Sequence, residues 1–206
     1  MGMQIACMIL CPQNPWFWWI KIVWLDELSR TNHQNISCVC DRLPELTTID
    51  DEKFDVVIFM ELIEHLSKKD VEASLKRIES LLKDDGVLIL STPNKEAWSP
   101  FVLYPVDKYH LHEYSLEELH EILSNFQITE EKGVYFRSYI GHDIYHLFMR
   151  FLSLFPHRIV HFIMSKMFSP MHTVATKVHV MDSYLDELNS KKLAIHYLVA
   201  CRKKSS

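Results

Sequence analysis

Apolar runs and amphipathic stretches alternate through the middle of the chain. Residues 54–60 (FDVVIFM) form a continuous apolar run rich in valine, which is typical of a strand buried on both faces in a parallel sheet. Ser67 can cap a helix over 68–83, and the turn Asp84–Gly86 ends it. Val87 to Leu90 then predict a second strand. This strand, helix and strand succession indicates a right-handed crossover, so we expect two neighbouring parallel strands in an α/β fold.

A helix and two further strands are predicted downstream. Ser115 and Glu118 form a capping box that opens a helix through Leu123. The next strand is predicted over Gln127 to Phe136. The last strand is predicted over Leu193 to Cys201, with solvated basic residues behind it.

A helical insertion, or lid, is predicted over 138–190, ahead of the last strand. Its apolar residues recur at helical spacing in two stretches that Pro156 separates. Arg150, Arg158 and Lys166 interrupt these stretches well before the roughly 20 apolar residues that cross a bilayer. Two interpretations stay open: a lid packed on the core, or a surface over 140–168 that contacts a membrane or walls an apolar substrate pocket.

Composition narrows the classes of partner. The 206 residues are 48% hydrophobic and 24% charged, which suits one folded domain. A net charge of -5 offers no basic surface for a row of phosphates, so we expect no nucleic-acid partner and favour a small or apolar substrate. The five cysteines are odd in number and lack zinc-finger spacing, which indicates reduced thiols. We therefore expect a cytoplasmic protein, with membrane association as an open alternative.

Three segments resemble a known enzyme family. FDVVIFMELIEHL at 54–66, LLKDDGVLILSTPN at 81–94 and HLHEYSLEELHEIL at 110–123 occur in the order and spacing of class I S-adenosylmethionine-dependent methyltransferases, especially the ubiquinone-biosynthesis type. The resemblance implies a Rossmann-like, doubly wound, mostly parallel sheet with an antiparallel last strand. It also implies S-adenosyl-L-methionine as the cofactor, bound across the carboxyl ends of the strands.

The same resemblance implies a set of cofactor-binding residues. In CVCDRLPEL, Asp41 resembles the acidic residue that bonds the adenine amine, with Leu43 beside the ring. The backbone at Met60 and Glu61 would line the methionine portion. In KIVWLDELSR, Asp26 is similar to the acidic residue that holds the ribose hydroxyls, although an aspartate there also fits a helix cap.

Two histidines are candidates for the catalytic base. Methyl transfer to a hydroxyl needs a group that takes the proton, and His65, after the first buried strand, is the first candidate, with His112 the second. Glu61, Glu64 and His65 also form an E-x-x-E-H cluster, which in some related methyltransferases joins a later histidine, here His112, around a divalent metal. Similar clusters occur without metal, where the glutamates cap a helix, so no metal is predicted.

The glycine-rich cofactor loop of the resembling family is missing. The four glycines are Gly2, Gly86, Gly133 and Gly141, and Pro12 to Pro15 stand where the loop would follow a first strand over Met3 to Cys11. Too few residues remain before the next strand for a normal first crossover, although aromatic residues between Trp16 and Trp24 can cover the gap. We therefore expect a single incomplete methyltransferase domain over 1–206 that lacks a normal first strand.

Two functional hypotheses follow. The first is methyl transfer to a small, hydrophobic, lipid-like acceptor, by a chain shortened relative to its family. The second is a catalytically inactive methyltransferase-like scaffold, whose incomplete sheet a protein partner covers.

Overall fold

In the part of the chain that the structure describes, eight strands form one sheet in the order β3-β2-β1-β4-β5-β8-β6-β7. The computed structural model describes residues 5–10, 19–25, 36–47, 49, 53–107, 109–136, 139–164, 166, 183–188 and 194–204. The strands are β1 Ile5–Leu10, β2 Trp19–Leu25, β3 Ile36–Arg42, β4 Phe54–Met60, β5 Leu82–Pro93, β6 Phe126–Phe136, β7 Ser183–Glu187 and β8 His196–Lys203. The helices are α1 Lys68–Leu81, α2 Lys95–Trp98, α3 Leu116–Ile122 and α4 Tyr139–Leu152, with a 3-10 turn at Ile63–His65 and a further helical stretch over 157–164.

The crossover from β4 through α1 to β5 stands at the centre of the sheet. β4 and β5 are parallel neighbours, and Met60 pairs with Ser91 at their carboxyl ends. The Ser67 hydroxyl accepts a hydrogen bond from the Asp70 backbone N–H and caps α1, as the sequence predicts. The apolar stripe of α1 is buried against the sheet, so the predicted crossover is confirmed.

Strand β5 is longer than predicted at both ends. It begins at Leu82, where α1 stops, and includes the residues that we expected to form a turn. At Gly86 an added Cβ would lie 3.0 Å from the carbonyl oxygen of Phe54 and from backbone atoms of Lys83. Glycine therefore permits a close backbone approach that lets the strand start immediately after the helix.

The sheet is mixed, which corrects the expectation of a mostly parallel sheet. The pairings β1–β4 and β4–β5 are parallel, whereas β1–β2, β2–β3, β5–β8, β6–β8 and β6–β7 are antiparallel. Only residues 11–18 connect β1 to β2, too few for the crossover that parallel strands require. The α/β class and the antiparallel last strand are confirmed.

The expectation that a normal first strand is lacking is also corrected in part. β1 occupies the expected central position and pairs in parallel with β4, Ile5 opposite Val56. What differs from the family pattern is the next step, because β2 returns antiparallel beside β1. Trp16, Phe17 and Trp18 lie outside the described residues.

The predicted insertion is helical at first and then returns to the sheet. α4 and the helical stretch over 157–164 confirm its two helices. Near its end, however, β7 adds an edge strand that pairs antiparallel with β6. Where the structure describes it, the segment 138–190 therefore contains two helices and then a strand. The apolar stripes identify the helices in the sequence, whereas the short SYLDE strand carries no strong pattern of its own.

The described residues form two apolar clusters in the interior. The larger cluster lies around β4, β5, α1, α3 and β8. The smaller one joins Val102 and Val106 of the loop after α2 to Met149, Leu152 and Val160 of the insertion. The helical insertion thus packs on the loop over 99–107 and has a core of its own.

Helix α3 fixes the segment that precedes it. The Ser115 hydroxyl accepts from the Glu118 backbone N–H, and the Glu118 carboxylate accepts from the Ser115 N–H, so the predicted capping box is confirmed. Just upstream, the carbonyl oxygen of Tyr114 accepts from Lys95, which ties this segment to α2.

We expect Ser115→Ala to lower the free energy of unfolding by about 1 kcal/mol, because the first turn of α3 loses a cap. Urea denaturation followed by circular dichroism measures it. Ser124→Ala, at an exposed site beyond the other end of α3, is the matched control and should change stability by less than about 0.5 kcal/mol. Equal effects of the two substitutions would contradict the capping role.

Candidate functional site

Polar side chains gather at the carboxyl edge, the edge of the sheet where β4 and β5 end. Met60 is 43% exposed at the end of β4, and Glu61 follows with a left-handed backbone, φ 52°. The Glu61 N–H donates to the Ser91 carbonyl oxygen of β5 at 3.0 Å. A non-glycine residue in this conformation is uncommon, and here it turns the chain sharply over the end of the sheet.

The Glu61 carboxylate joins three strands. One oxygen accepts from the Ser91 hydroxyl at 2.6 Å, and the other lies 2.9 Å from Nδ1 of His196 on β8. Burial alone would raise the pKa of Glu61, but the His196 and Ser91 contacts outweigh it and hold the pKa below its ordinary value. Glu61 is therefore ionised at neutral pH.

Glu64 has the opposite electrostatic state. Its side chain is 1% exposed, and the Thr92 hydroxyl donates to it at 3.1 Å. Burial, with the nearby negative charge of Glu61, raises the pKa of Glu64 to about 8. Glu64 is thus a protonated carboxylic acid at neutral pH, a few residues from an ionised one.

His65 lies beside Glu64 with a defined tautomer. Its Nδ1 is 3.0 Å from the carbonyl oxygen of Tyr109, which can only accept, so Nδ1 carries the proton and Nε2 the lone pair. Nε2 lies 3.8 Å from a Glu64 carboxyl oxygen. Burial lowers the pKa of His65, so the ring is neutral at neutral pH and suited to accept a proton.

His110 completes the cluster. Its ring meets that of His65 edge-on at 5.0 Å between centroids, and its Nδ1 lies 2.9 Å from a Glu113 carboxyl oxygen. Burial alone would lower the pKa of His110, but the Glu113 carboxylate outweighs it and raises the pKa. The other oxygen of Glu113 is buried and has no hydrogen-bond partner among the described residues.

Three of these residues can hold a cation. One ligand atom each from Glu64, His65 and His110 lies within 4.8 Å of the others. Carboxylate and imidazole ligands suit a divalent transition metal. A bound cation would displace the Glu64 proton, because metal ligation requires the ionised carboxylate.

His112 lies elsewhere in the site. Its Nε2 is 3.2 Å from a Glu118 carboxyl oxygen at the start of α3, and its ring meets that of Tyr114 edge-on at 4.6 Å. Its backbone N–H donates to the Glu64 carbonyl oxygen. The structure therefore brings His110, and not His112, beside His65.

The residues predicted to hold the adenosyl portion lie along the same edge of the sheet. Asp41, near the end of β3, pairs with Ile20 of β2, which pairs with Leu10 at the carboxyl end of β1. Asp41 and Leu43 are both buried, and one Asp41 carboxyl oxygen accepts from the Arg42 N–H at 2.7 Å.

Asp26 lies outside the described residues. The strand before it ends at Leu25, opposite Ile5 at the amino-terminal end of β1. The role suggested for Asp26 stays a prediction.

Sequence reasoning missed His110, Glu113 and His196. The i, i+3 spacing of His110 and Glu113 was a sequence signal that these two side chains could pair. His196 opens the last strand, and an antiparallel last strand begins where its parallel neighbours end, here opposite Pro93. A polar residue at that position was the available signal.

More than half of the chain matches one protein family. A family model described as a methyltransferase domain matches residues 10–130. A ubiquinone biosynthesis O-methyltransferase of Bradyrhizobium sp. (strain ORS 278) is 33% identical over 116 residues, which cover 50% of this chain and 44% of that protein. The enzyme of the same name from Rhodopseudomonas palustris (strain HaA2) is 39% identical over 61 residues, 28% of this chain and 23% of that protein.

Among solved structures, a SAM-dependent methyltransferase from Archaeoglobus fulgidus aligns with a TM-score of 0.40 at 14% identity, over 77% of this chain and 63% of that one. This chain spans less than half the length of each of these two curated relatives. The family match covers more than half of the chain, and with the central crossover and its carboxyl-edge cluster in place, the chain belongs to the methyltransferase-domain family.

Proposed function

We propose that this chain transfers a methyl group from S-adenosyl-L-methionine to a small, apolar acceptor at the carboxyl edge. The observation that carries the proposal is the meeting of Glu61, Glu64 and His65 with Ser91 and His196 where two parallel strands end. Ligands of open α/β sheets bind at such an edge.

The side chains at this edge suit the adenosyl and methionine portions of the cofactor. An acidic residue, Asp41, and an apolar one, Leu43, lie at the end of β3 and suit an adenine amine and its ring. Three strand spacings separate β3 from β4, about 14 Å, which is on the scale of the extended cofactor. The ionised Glu61 carboxylate at the end of β4 suits the ammonium group of the methionine portion.

The chain's own groups position the acceptor and remove its proton. When bound, the cofactor supplies a methyl group activated on a sulfonium. An acceptor hydroxyl bound beside His65 would lose its proton to Nε2 of that ring as the acceptor oxygen receives the methyl group. Because Glu64 is protonated, it adds no negative charge that would disfavour the binding of an apolar acceptor.

The rim of the site supports an apolar acceptor. Met60, Tyr109 and Leu111 are 43%, 62% and 56% exposed around the cluster. Large, exposed apolar side chains on residues next to the cluster favour an acceptor with an apolar ring or chain over a charged metabolite.

One observation favours the competing hypothesis of an inactive scaffold. β1 passes to β2 without the crossover whose glycine loop approaches the cofactor in the resembling family, and the four glycines of the sequence do not lie between these strands. Cofactor binding separates the two hypotheses.

We expect isothermal titration calorimetry to show S-adenosylmethionine binding, weakened about tenfold by Asp41→Asn, because the amide removes the negative charge that faces the adenine amine. Asp85→Asn, exposed near the start of β5 at the opposite edge, is the matched control and should bind as the unaltered chain does. Folded protein that gives no binding heat at millimolar cofactor would support the scaffold.

We expect His65→Gln to lower kcat about 100-fold while cofactor affinity stays unchanged, because the base is lost and the cofactor contacts are kept. The assay measures S-adenosylhomocysteine formed with a panel of apolar phenols and alcohols. His120→Gln removes an imidazole–carboxylate contact to Glu131, away from the cluster, and should leave kcat unchanged. Equal losses in both variants would exclude His65 as the base.

We expect the free energy of unfolding to fall as pH rises from about 4.5 to 8, because the folded protein keeps the Glu64 proton that the unfolded chain loses. Glu64→Gln should flatten most of this dependence and gain on the order of 3 kcal/mol over the unaltered chain at pH 8. The raised pKa of His110 still contributes a fall in stability above about pH 6.5. Urea denaturation across this pH range measures both. Glu72→Gln, exposed on α1, should keep the original slope, and a Glu64→Gln variant that also keeps it would contradict the protonated state.

A further inference from the structure

Helix α4 is apolar on two opposite faces. Met149 and Leu152 are buried in the smaller core. On the other side of the helix, Leu147 and Phe151 are 73% and 57% exposed, and Leu154, in the turn that continues this side, is 78% exposed. A helix of a protein surface normally carries one apolar stripe, so the outward stripe has no role in the described fold.

The helical stretch over 157–164 repeats this arrangement. Val160 and Met164 are buried in the same core. Ile159 and Phe162 face outward at 43% and 64% exposure, and the Lys166 ammonium lies 6.0 Å from the centre of the Phe162 ring. Two consecutive helical segments therefore expose apolar side chains on the face away from their shared core.

The loop that packs on these helices also exposes apolar side chains. Phe101 and Leu103 are 60% and 98% exposed, while their neighbour Val102 is packed in the smaller core. The ring of Phe101 meets that of His146 on α4 edge-on at 5.9 Å. Loop and helix thus present apolar groups from one packed unit.

The charges beside these apolar groups have one sign. Arg150, Arg158 and Lys166 are exposed, and the sequence from Ile144 to Lys166 contains no acidic residue. The chain as a whole carries a net charge of -5. A local cluster of three cations on an anionic protein is complementary to a negatively charged surface.

We propose that this outer helical face docks on an anionic lipid bilayer, with its apolar side chains in the headgroup boundary and its cations against lipid phosphates. Exposed leucine and phenylalanine beside arginine and lysine is the composition of helices that lie in a membrane interface. Among the described helices, none is long and apolar enough to cross a bilayer. The face consists of Leu147, Arg150, Phe151, Leu154, Arg158, Ile159, Phe162 and Lys166.

Its charge distinguishes a lipid surface from a second copy of the chain. A symmetric dimer through this face would bring two sets of three cations together. Anionic headgroups neutralise them instead. The proposal does not depend on the methyltransferase activity, because it is carried by exposed side chains outside the carboxyl-edge cluster.

Co-sedimentation of the full chain with vesicles tests the proposal. We expect binding to vesicles of 30% phosphatidylglycerol in phosphatidylcholine to be at least about tenfold tighter than to pure phosphatidylcholine, and to weaken with salt. Arg150→Gln/Arg158→Gln/Lys166→Gln should reduce binding by at least about tenfold. Lys68→Gln/Lys69→Gln/Lys76→Gln, which removes the same charge from exposed positions of α1, should leave it within about twofold.

A second pair of variants tests the apolar contribution. Leu154→Asp should reduce vesicle binding by at least about tenfold, and Leu185→Asp, at the exposed position of β7, should not. Thermal unfolding by circular dichroism checks that each variant folds. The proposal is overturned if the unaltered chain does not bind anionic vesicles at low salt, or if control variants lose binding equally. Vesicle-free dimerisation that Leu154→Asp abolishes, without lipid binding, would identify a self-association face instead.

Discussion

The parallel pairing of β4 with β5 is the constraint on which the rest of the structure depends. Because α1 crosses between them, both strands end at the same edge, with Met60 opposite Ser91. The antiparallel β8 begins at that edge and places His196 within 2.9 Å of Glu61. The ends of three strands therefore meet in one polar cluster, and the contacts of Ser91 with Glu61 and of Thr92 with Glu64 would not exist if β5 ran the other way.

The cluster separates two neighbouring carboxyl groups into different charge states. Hydrogen bonds from Ser91 and His196 stabilise the anion of Glu61, whereas burial and the charge of Glu61 keep the proton on Glu64. A shallow surface could not maintain this difference, because water would screen it. The arrangement offers an anion for a cationic ligand group, beside a neutral histidine that can accept a proton.

Local sequence patterns correctly predicted the elements at the centre of the fold, but they did not predict the arrangement at its edges. The continuous apolar run of β4 and the capping residues Ser67 and Ser115 predicted their elements closely, because those signals act within a few residues. The antiparallel return of β2 and the approach of His110 in place of His112 depend on long-range pairing and loop packing. The apolar stripes predicted the insertion helices, but the sequence did not decide between a lid packed on the core and an exposed apolar surface.

Hydrogen–deuterium exchange with and without S-adenosylhomocysteine tests whether the ends of β3, β4 and β5 form one cofactor-binding edge. We expect slower exchange in peptides that cover 39–46, 60–66 and 91–94, and no change in a peptide over 81–87 at the opposite edge. Protection confined to 81–87, or absent from all three carboxyl-edge segments at saturating ligand, would contradict it.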